Sequence, residues 1–126
     1  MDNSSLVDVK IVSPFGSKRT SDVIFFTAHC VVGLCSAEAL GKWFQKAGLN
    51  ASANYGIDKD GRVLACFDSE DIRAWTSSST WNDDRAITVE CASEVNSPWA
   101  FPDATYAKLV DLAVDVCKRY GKKKLV

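Results

Sequence analysis

Short apolar runs of β type alternate with two segments of helical periodicity, and this alternation constrains the fold of the chain most strongly. Five runs read as strands, and a shorter sixth is indicated. They cover residues 6–12, 23–27, 52–58, 62–67 and 86–91, with 72–75 as the shorter one. Gly61 can supply the positive φ of a hairpin turn between the third and fourth runs. The order β-β-α-β-β-(β)-β-α predicts an α/β fold with a mixed central β-sheet flanked by helices.

The two helical segments begin at capping residues and end at glycines. Ser36 can cap a helix that runs to about residue 47, where Gly48 ends it. Asp103 can cap a longer helix that runs to about Tyr120. This helix should pack across the sheet through one apolar face. The face consists of Tyr106, Leu109, Val110, Ala113, Val116, Cys117 and Tyr120.

The composition of each run predicts its place in the sheet. Residues 23–27 are dense in β-branched and aromatic side chains, which indicates a central strand covered on both faces. Residues 86–91 should be the second central strand. Residues 6–12 alternate between polar and apolar, as an edge strand with one buried face does. Residues 17–21 and 76–84 are polar and are predicted to be loops.

Length, charge and cysteine content limit the class of protein. A chain of 126 residues with a net charge of -1 fits a single domain, 1–126, and argues against binding to nucleic acid. No apolar stretch approaches the roughly 20 residues that span a membrane, and the polar start lacks the apolar core of a secretory signal. The five cysteines are odd in number and form no Cys-x-x-Cys pair, which indicates reduced thiols in a cytoplasmic protein.

Three residues could carry chemistry. His29 is the one histidine of the chain; a lone histidine is by default a packed or surface residue, but strand ends are where α/β sheets gather their sites. Glu90 opposes the apolar set of its strand. It is either a solvated residue or, if both faces are covered, a general base with a raised pKa. Tyr55 is either a half-buried strand aromatic or a phenol that donates to an oxyanion near a metal.

Several motifs resemble those of a known family in their order and spacing. They are Phe26-Thr27-Ala28-His29, Ser52-Ala53-Asn54-Tyr55-Gly56-Ile57, Asp60-Gly61-Arg62-Val63, Asp71-Ile72-Arg73-Ala74-Trp75 and the segment from Asn82 to Glu90. From about residue 20 to residue 125 the chain resembles the N-acetylmuramoyl-L-alanine amidases of the peptidoglycan-recognition-protein type (amidase type 2). The resemblance is greatest to the catalytic domains of phage and prophage endolysins from Gram-positive hosts.

The resemblance implies a zinc hydrolase that cleaves the amide between N-acetylmuramic acid and L-alanine in peptidoglycan. His29 matches the first zinc ligand, and Tyr55 matches a tyrosine near the metal. Glu90 matches the acidic residue that activates the zinc-bound water, whose pKa the metal lowers toward about 7. The expected substrate-binding residues are Asn54, Trp75 and Trp81. The two tryptophans either lie against a sugar ring or peptide of the substrate or are packing residues.

The resemblance also implies that the chain is truncated. In the family a second histidine and a cysteine or aspartate follow the long helix, so these zinc ligands are expected beyond Val126, and the chain is expected to be inactive. Cys30 and Cys91 are poor replacements for these zinc ligands, because each adjoins a site residue along a strand and should point to the opposite face. Cys35, in a loop near the start of the first helix, could approach the site but is also a poor replacement. The absent segment should leave a sheet edge near residues 122–126 unpaired and open to self-association.

Three functional hypotheses follow. The first is an endolysin amidase that acts on bacterial peptidoglycan, held in the host cytoplasm until it is released to the cell wall. The second is a non-catalytic module that binds muropeptide in the same groove. The third is an α/β domain with an unrelated role. Neither nucleic acid nor a membrane is an expected partner.

Overall fold

The structure, a computed structural model, describes residues 1–121. Within that range the chain forms a five-stranded sheet, a two-stranded sheet and three helices. The elements are β1 Val9–Lys10, β2 Gly16–Lys18, β3 Phe25–Cys30, α1 Ala37–Trp43, β4 Tyr55–Ile57, β5 Val63–Ala65, β6 Ile72–Ala74, α2 Thr80–Arg85, β7 Ala86–Cys91 and α3 Asp103–Arg119. The predicted α/β class, a mixed central sheet flanked by helices, is confirmed. None of the helices in residues 1–121 is long and apolar enough to cross a lipid bilayer.

The large sheet has the strand order β1-β5-β4-β7-β3. Strands β4 and β5 pair antiparallel as the predicted hairpin, and the other pairings are parallel. The buried carboxylate of Asp58 holds the hairpin turn, because its Oδ1 accepts hydrogen bonds from the backbone N–H groups of Asp60 and Arg62, each at 2.9 Å. Gly61 takes a φ of 81°, which a residue with a side chain rarely adopts.

Different helices cover the two faces of this sheet. On the face called the α3 face, Leu112 of α3 packs with Ile87 and Val89 of β7. On the opposite face, called the α1 face, Leu40 of α1 packs with Leu64 of β5. Since successive residues of a strand point to opposite faces, the central strands contribute to both cores.

The prediction that residues 23–27 form a central strand is wrong. Strand β3 runs Phe25–Cys30 and, within the described residues, lies at the edge of the sheet, where it pairs with β7 alone. Its apolar composition has another cause. Phe26 packs against the core of the α3 face, whereas the ring of Phe25 lies 5.5 Å from that of Trp81, centroid to centroid. The strand is therefore apolar on both sides although, among residues 1–121, it pairs along one edge only.

Two segments predicted to be loops contain regular structure. Strand β2 overlaps residues 17–21 and pairs antiparallel with β6. Helix α2 lies within the polar stretch that begins at residue 76, and it starts where the side chain of Ser79 accepts a hydrogen bond from the backbone N–H of Asn82. Neither segment shows a clear apolar period, so composition alone indicated loops.

Three further boundaries differ from the predicted ones or cannot be compared. The edge strand predicted over residues 6–12 is present at the sheet edge as the two-residue β1. Helix α1 ends at Trp43, earlier than residue 47. The strand and the unpaired edge predicted near residues 122–126 lie outside the described residues.

The buried face of α3 is rotated from the predicted one. Tyr106 and Val110, predicted to be buried, are 61% and 46% exposed, while Thr105, Leu112 and Val116 are fully buried. The hydroxyl of Thr105 donates a 2.7 Å hydrogen bond to the backbone carbonyl of Asp58, and this contact fixes the first turn of the helix against the hairpin. Asp103 is the first helical residue rather than the cap, a position that Pro102 takes.

Candidate active site

Three residues form one row across the α1 face, where β4, β7 and β3 lie side by side. His29 of β3 is the register partner of Glu90 of β7, and Glu90 is also the partner of Gly56 of β4. Register partners on neighbouring strands point to the same face, and such strands lie roughly 4.8 Å apart. The histidine and the carboxylate that the sequence singles out are therefore neighbours.

Gly56 makes room for helix α1 beside this row. A Cβ atom built at this position would lie 2.5 Å from Cδ2 of Leu40, far closer than two carbon atoms can approach. The glycine thus allows Leu40 to lie directly on the strand, next to the carboxyl group of Glu90. A side chain at position 56 would push the helix outward and admit water to the carboxyl group.

Glu90 is a largely buried carboxylate that makes no ion pair within the described residues. A cavity of about 190 Å³ lies beside it, lined in part by Leu40, Trp43 and Ala51. Burial raises the pKa of Glu90 to about 7, because the charged form loses hydration and gains no cation. A carboxyl group with a pKa near neutrality can take a proton from water and return it in a later step.

His29 presents a nitrogen without a partner. Its Nε2 atom is buried and accepts or donates no hydrogen bond within the part of the chain that the structure describes. Burial lowers the pKa of the imidazole, and the negative charge of Asp83 opposes this effect. The ring is therefore neutral at pH 7 and keeps one lone pair, which could bind a metal ion or accept a hydrogen bond.

The described residues do not by themselves make a zinc site. Residues 1–121 hold no group of three His, Cys, Asp or Glu side chains that could bind one ion, whereas a catalytic zinc needs three protein ligands. Cys30 and Cys91 are register partners of each other and follow His29 and Glu90, so they point to the opposite face. Burial raises the pKa of the Cys35 thiol, which opposes the thiolate form that binds metal.

Tyr55 does not lie in the row. It is the register partner of Val89, so its side chain points to the α3 face, away from Glu90. The residue is fully buried, and its hydroxyl donates to the Glu70 carboxylate and accepts a 2.9 Å hydrogen bond from the backbone N–H of Ser4. The expectation that Tyr55 shares a cleft with His29 and Glu90 is therefore wrong, and its contacts are those of a packing residue.

Asn54 is likewise fully engaged in the fold. Its side-chain oxygen accepts a 3.1 Å hydrogen bond from the backbone N–H of Thr88, and its Nδ2 donates at 2.9 Å to the carbonyl of Ile72. These bonds join β4, β6 and β7. With 3% exposure, Asn54 is buried and links neighbouring strands, whereas the sequence predicted a substrate-binding residue.

The two tryptophans predicted to bind substrate lie in different surroundings. Trp75 lines a cavity of about 320 Å³, called the α2 cleft, which is lined by Asn50, Ala51, Arg73, Trp75, Thr76, Ser78, Thr80 and Asp83. Trp81 projects from α2, is 58% exposed, and contacts the ring of Phe25 and the Arg85 guanidinium. It does not line the cleft.

The α2 cleft adjoins the row. Ala51 lines both the cleft and the cavity beside Glu90. Moreover, the hydroxyls of Thr76 and Thr88 are 2.8 Å apart, and Thr88 precedes Glu90 by two residues on the same face, roughly 7 Å along the strand. Sequence reasoning missed Asn50, Arg73 and the hydroxyl residues of the cleft, because they come from three separate segments that share no local pattern.

Comparison with known proteins identifies the family. The family model described as N-acetylmuramoyl-L-alanine amidase matches residues 19–125. No curated protein sequence matches the chain significantly.

Solved structures share the fold. A selenomethionine derivative of AmpD has a TM-score of 0.72 at 19% identity, covering 94% of this chain and 77% of its own. A mutant endolysin from Bacillus subtilis has a TM-score of 0.73 at 13% identity, covering 93% and 79%. The endolysin amidase LysCS from Clostridium intestinale has a TM-score of 0.66 at 14% identity, covering 97% and 82%. With the family model matching nearly the whole chain, this protein belongs to the N-acetylmuramoyl-L-alanine amidase family.

Proposed function

We propose that this protein hydrolyses the amide between the lactyl group of N-acetylmuramic acid and the L-alanine of the peptidoglycan stem peptide. The observation that carries the proposal is the pairing of His29 with Glu90 on one face of the sheet, beside a cavity and a cleft. The family match supports the same bond as the target.

Glu90 is the proposed general base. In its ionised form it takes a proton from water, and the water oxygen attacks the lactyl carbonyl carbon. As the tetrahedral intermediate collapses, the carbon–nitrogen bond breaks, and the protonated Glu90 returns its proton to the departing amine of L-alanine. The products are a lactyl carboxylic acid and a peptide amine, and transfer of the acid proton to the amine gives the carboxylate and the ammonium group. A pKa of about 7 suits both directions of transfer.

His29 is the proposed zinc ligand within the described residues, through Nε2. A bound zinc ion would polarise the scissile carbonyl and lower the pKa of water. Two more protein ligands would be needed from outside residues 1–121 to complete a catalytic site. The role of Glu90 as the base is independent of which residues these are.

Lysis of the bacterial cell wall, as by an endolysin, is the proposed biological role. Its support is the fold shared with a Bacillus subtilis endolysin and with a Clostridium intestinale endolysin amidase. The substrate would then be bacterial peptidoglycan met outside the producing cytoplasm.

The test is hydrolysis of a purified muropeptide, with and without added zinc, followed by mass spectrometry. Cleavage adds the mass of one water and releases a peptide with a new amino terminus. We expect Glu90→Gln to lower the rate by at least ~100-fold, the usual contribution of a general base. Glu94→Gln removes the same charge from an exposed position and should leave the rate unchanged. Full activity of Glu90→Gln would overturn the proposal.

A second candidate function is binding of muropeptide without hydrolysis. It is favoured by one observation: residues 1–121 contain one histidine and no three-residue metal group. If the wild-type protein binds muropeptide but releases no peptide at any zinc concentration, this candidate replaces the first.

A further inference from the structure

We infer that the α2 cleft holds the peptide side of the substrate and that Arg73 pairs there with a carboxylate of the stem peptide. The inference rests on the proposed function and adds to it an orientation and a specificity residue. Stem peptides carry free carboxyl groups close to L-alanine, whereas the glycan side is neutral, so a cation in one arm of a groove distinguishes the two ends of the substrate.

Arg73 is the arginine whose charge the described part of the chain leaves unused. Each of the others is engaged: Arg19 with three backbone carbonyls, Arg62 with Glu38, Arg85 with the carbonyl and ring of Trp81, and Arg119 with Glu70 and Asp115. Arg73 makes no hydrogen bond or ion pair within residues 1–121. Its guanidinium group can therefore bind a ligand carboxylate through two parallel hydrogen bonds.

The backbone that carries Arg73 is fixed. The residue lies in the middle of β6 and is the register partner of Ser17 in β2. Its neighbours Ile72 and Ala74 face the α1-side core, so Arg73 projects to the other side, into the cleft. A guanidinium held on a strand loses less freedom on binding than one on a loop.

The carboxylate that lines the cleft does not cancel this charge by pairing with it. Asp83 is buried, and its oxygens accept hydrogen bonds from the backbone N–H groups of Thr76 and Ser77 and from the Ser77 hydroxyl. It holds the loop that leads into α2. Among residues 1–121, the cleft thus combines an unpaired guanidinium, that of Arg73, with a carboxylate, that of Asp83, whose hydrogen bonds are made within its own loop.

The other groups of the cleft suit a peptide. The side chains of Asn50, Ser78 and Thr80 make no hydrogen bond within residues 1–121 and line the opening. The indole of Trp75 adds a flat apolar surface beside Arg73. Peptide carbonyl and amide groups can find partners here while an apolar side chain lies on the ring.

The reach also fits. Glu90 and Thr88 lie roughly 7 Å apart along β7, and the hydroxyl of Thr76, in the wall of the cleft, is a further 2.8 Å from that of Thr88. An extended peptide advances about 3.3–3.6 Å per residue. The residue that follows L-alanine, with its carboxyl groups, would therefore reach the wall of the cleft that Arg73 also lines.

The opposite arm of the groove differs in chemistry. Beyond Glu90 it continues into a pocket of about 300 Å³ lined by Val31, Cys35, Ala39, Leu40 and Trp43, with no charged residue in its wall. Lys46 lies outside this pocket, with its ammonium 5.1 Å from the centre of the Trp43 ring. The neutral glycan side fits this arm, which places the peptide in the α2 cleft.

The test measures binding rather than catalysis, with a chelator present to prevent hydrolysis. The probes are N-acetylmuramoyl-L-alanyl-D-glutamate with both carboxyl groups free and the same compound with both amidated, titrated by calorimetry. We expect the wild type to bind the free acid at least ~10-fold more tightly than the diamide. Arg73→Gln should remove this preference by weakening the acid alone, and Arg73→Lys should restore part of it.

Lys46→Gln is the matched control, because it removes a cation that lies outside both the α2 cleft and the neutral pocket, and it should keep the preference. Circular dichroism of each variant checks folding. Equal binding of both probes by the wild type, no binding of either, or an unchanged preference in Arg73→Gln would overturn the inference. An Arg73-dependent preference together with an absence of hydrolysis would sustain the inference and reject the proposed catalysis, so the two can fail separately.

Discussion

The hydroxyl of Tyr55 donates a hydrogen bond to the Glu70 carboxylate on the face of the sheet opposite Glu90. Glu70 is fully buried, and it also accepts from Arg119 and from the Tyr120 hydroxyl. Through Glu70, Tyr55 therefore links β4 to the segment between β5 and β6 and to helix α3. Burial and the Glu70 charge both raise the pKa of Tyr55 well above its usual value, so the phenol stays protonated.

Replacing Tyr55 by Phe should lower stability and spare the site. The variant leaves the buried backbone N–H of Ser4 and one oxygen of Glu70 short of a partner, at a cost of about 1–3 kcal/mol in the free energy of unfolding. Urea denaturation measures this loss, and calorimetry with muropeptide should show unchanged affinity. Unchanged stability combined with lost hydrolysis would instead return Tyr55 to the catalytic machinery.

The orientation of α3 gives a second prediction. Val116→Asp places a carboxylate at a fully buried position against the sheet and should cost several kcal/mol, about 3–5, in stability. Val110→Asp is the matched control, because Val110 is 46% exposed and its carboxylate would remain in water. Its effect should stay within about 0.5 kcal/mol. Equal losses in the two variants would contradict the orientation of the helix.

The close approach of Leu40 to Gly56 gives a third prediction. Gly56→Ala should cost about 1–3 kcal/mol, because its methyl group would overlap Leu40 Cδ2 and displace α1. Leu40→Ala should cost about 2–5 kcal/mol through the cavity that it leaves. The double variant should lose less than the sum, since each change relieves the other. Thermal and urea unfolding of all four proteins measure this coupling, and strict additivity would show that the two residues do not press on each other.

The parts of the fold that the sequence predicted were those with local causes. The hairpin of β4 and β5 follows from the Asp58 side chain and Gly61, which act within one turn. The neighbouring positions of His29 and Glu90 follow from strand ends that meet at one edge of a parallel pair. These features depend on a few consecutive residues and not on the packing of distant ones.

The features that the sequence did not predict depend on distant contacts. Tyr55 lies in a strand buried on both faces, so alternation could not tell which side faces the site. The α2 cleft combines Asn50, Arg73 and Thr80 from three segments. The buried face of α3 differs from the predicted one, and it includes Thr105, which bonds to a hairpin 47 residues away in the sequence. Periodicity within one element contains none of this information.

Because Glu90 is buried, the stability of the protein should depend on pH, and replacing Glu90 should remove this dependence. The folded pKa of about 7 lies above the value of about 4.3 for an unfolded glutamate. Below pH 4 the carboxyl group is protonated in both states and costs nothing. Between the unfolded and the folded pKa, the folded state binds more protons than the unfolded state, so the free energy of unfolding falls as pH rises. Above pH 7 this loss of stability stays constant.

Glu90→Gln should therefore gain stability relative to the wild type as pH rises from 4.5 to 7, with a plateau of about 3–4 kcal/mol at higher pH. Urea unfolding at unit steps of pH measures the difference. Glu94→Gln, exposed and outside the site, should show none. In the wild type the hydrolysis rate should rise with pH through about 7, as the base ionises. A constant stability difference between Glu90→Gln and the wild type from pH 4 to pH 8 would mean that the carboxyl group is hydrated like that of any surface glutamate. The side of the sheet that carries His29 would then lack the low-dielectric environment on which the proposed base depends.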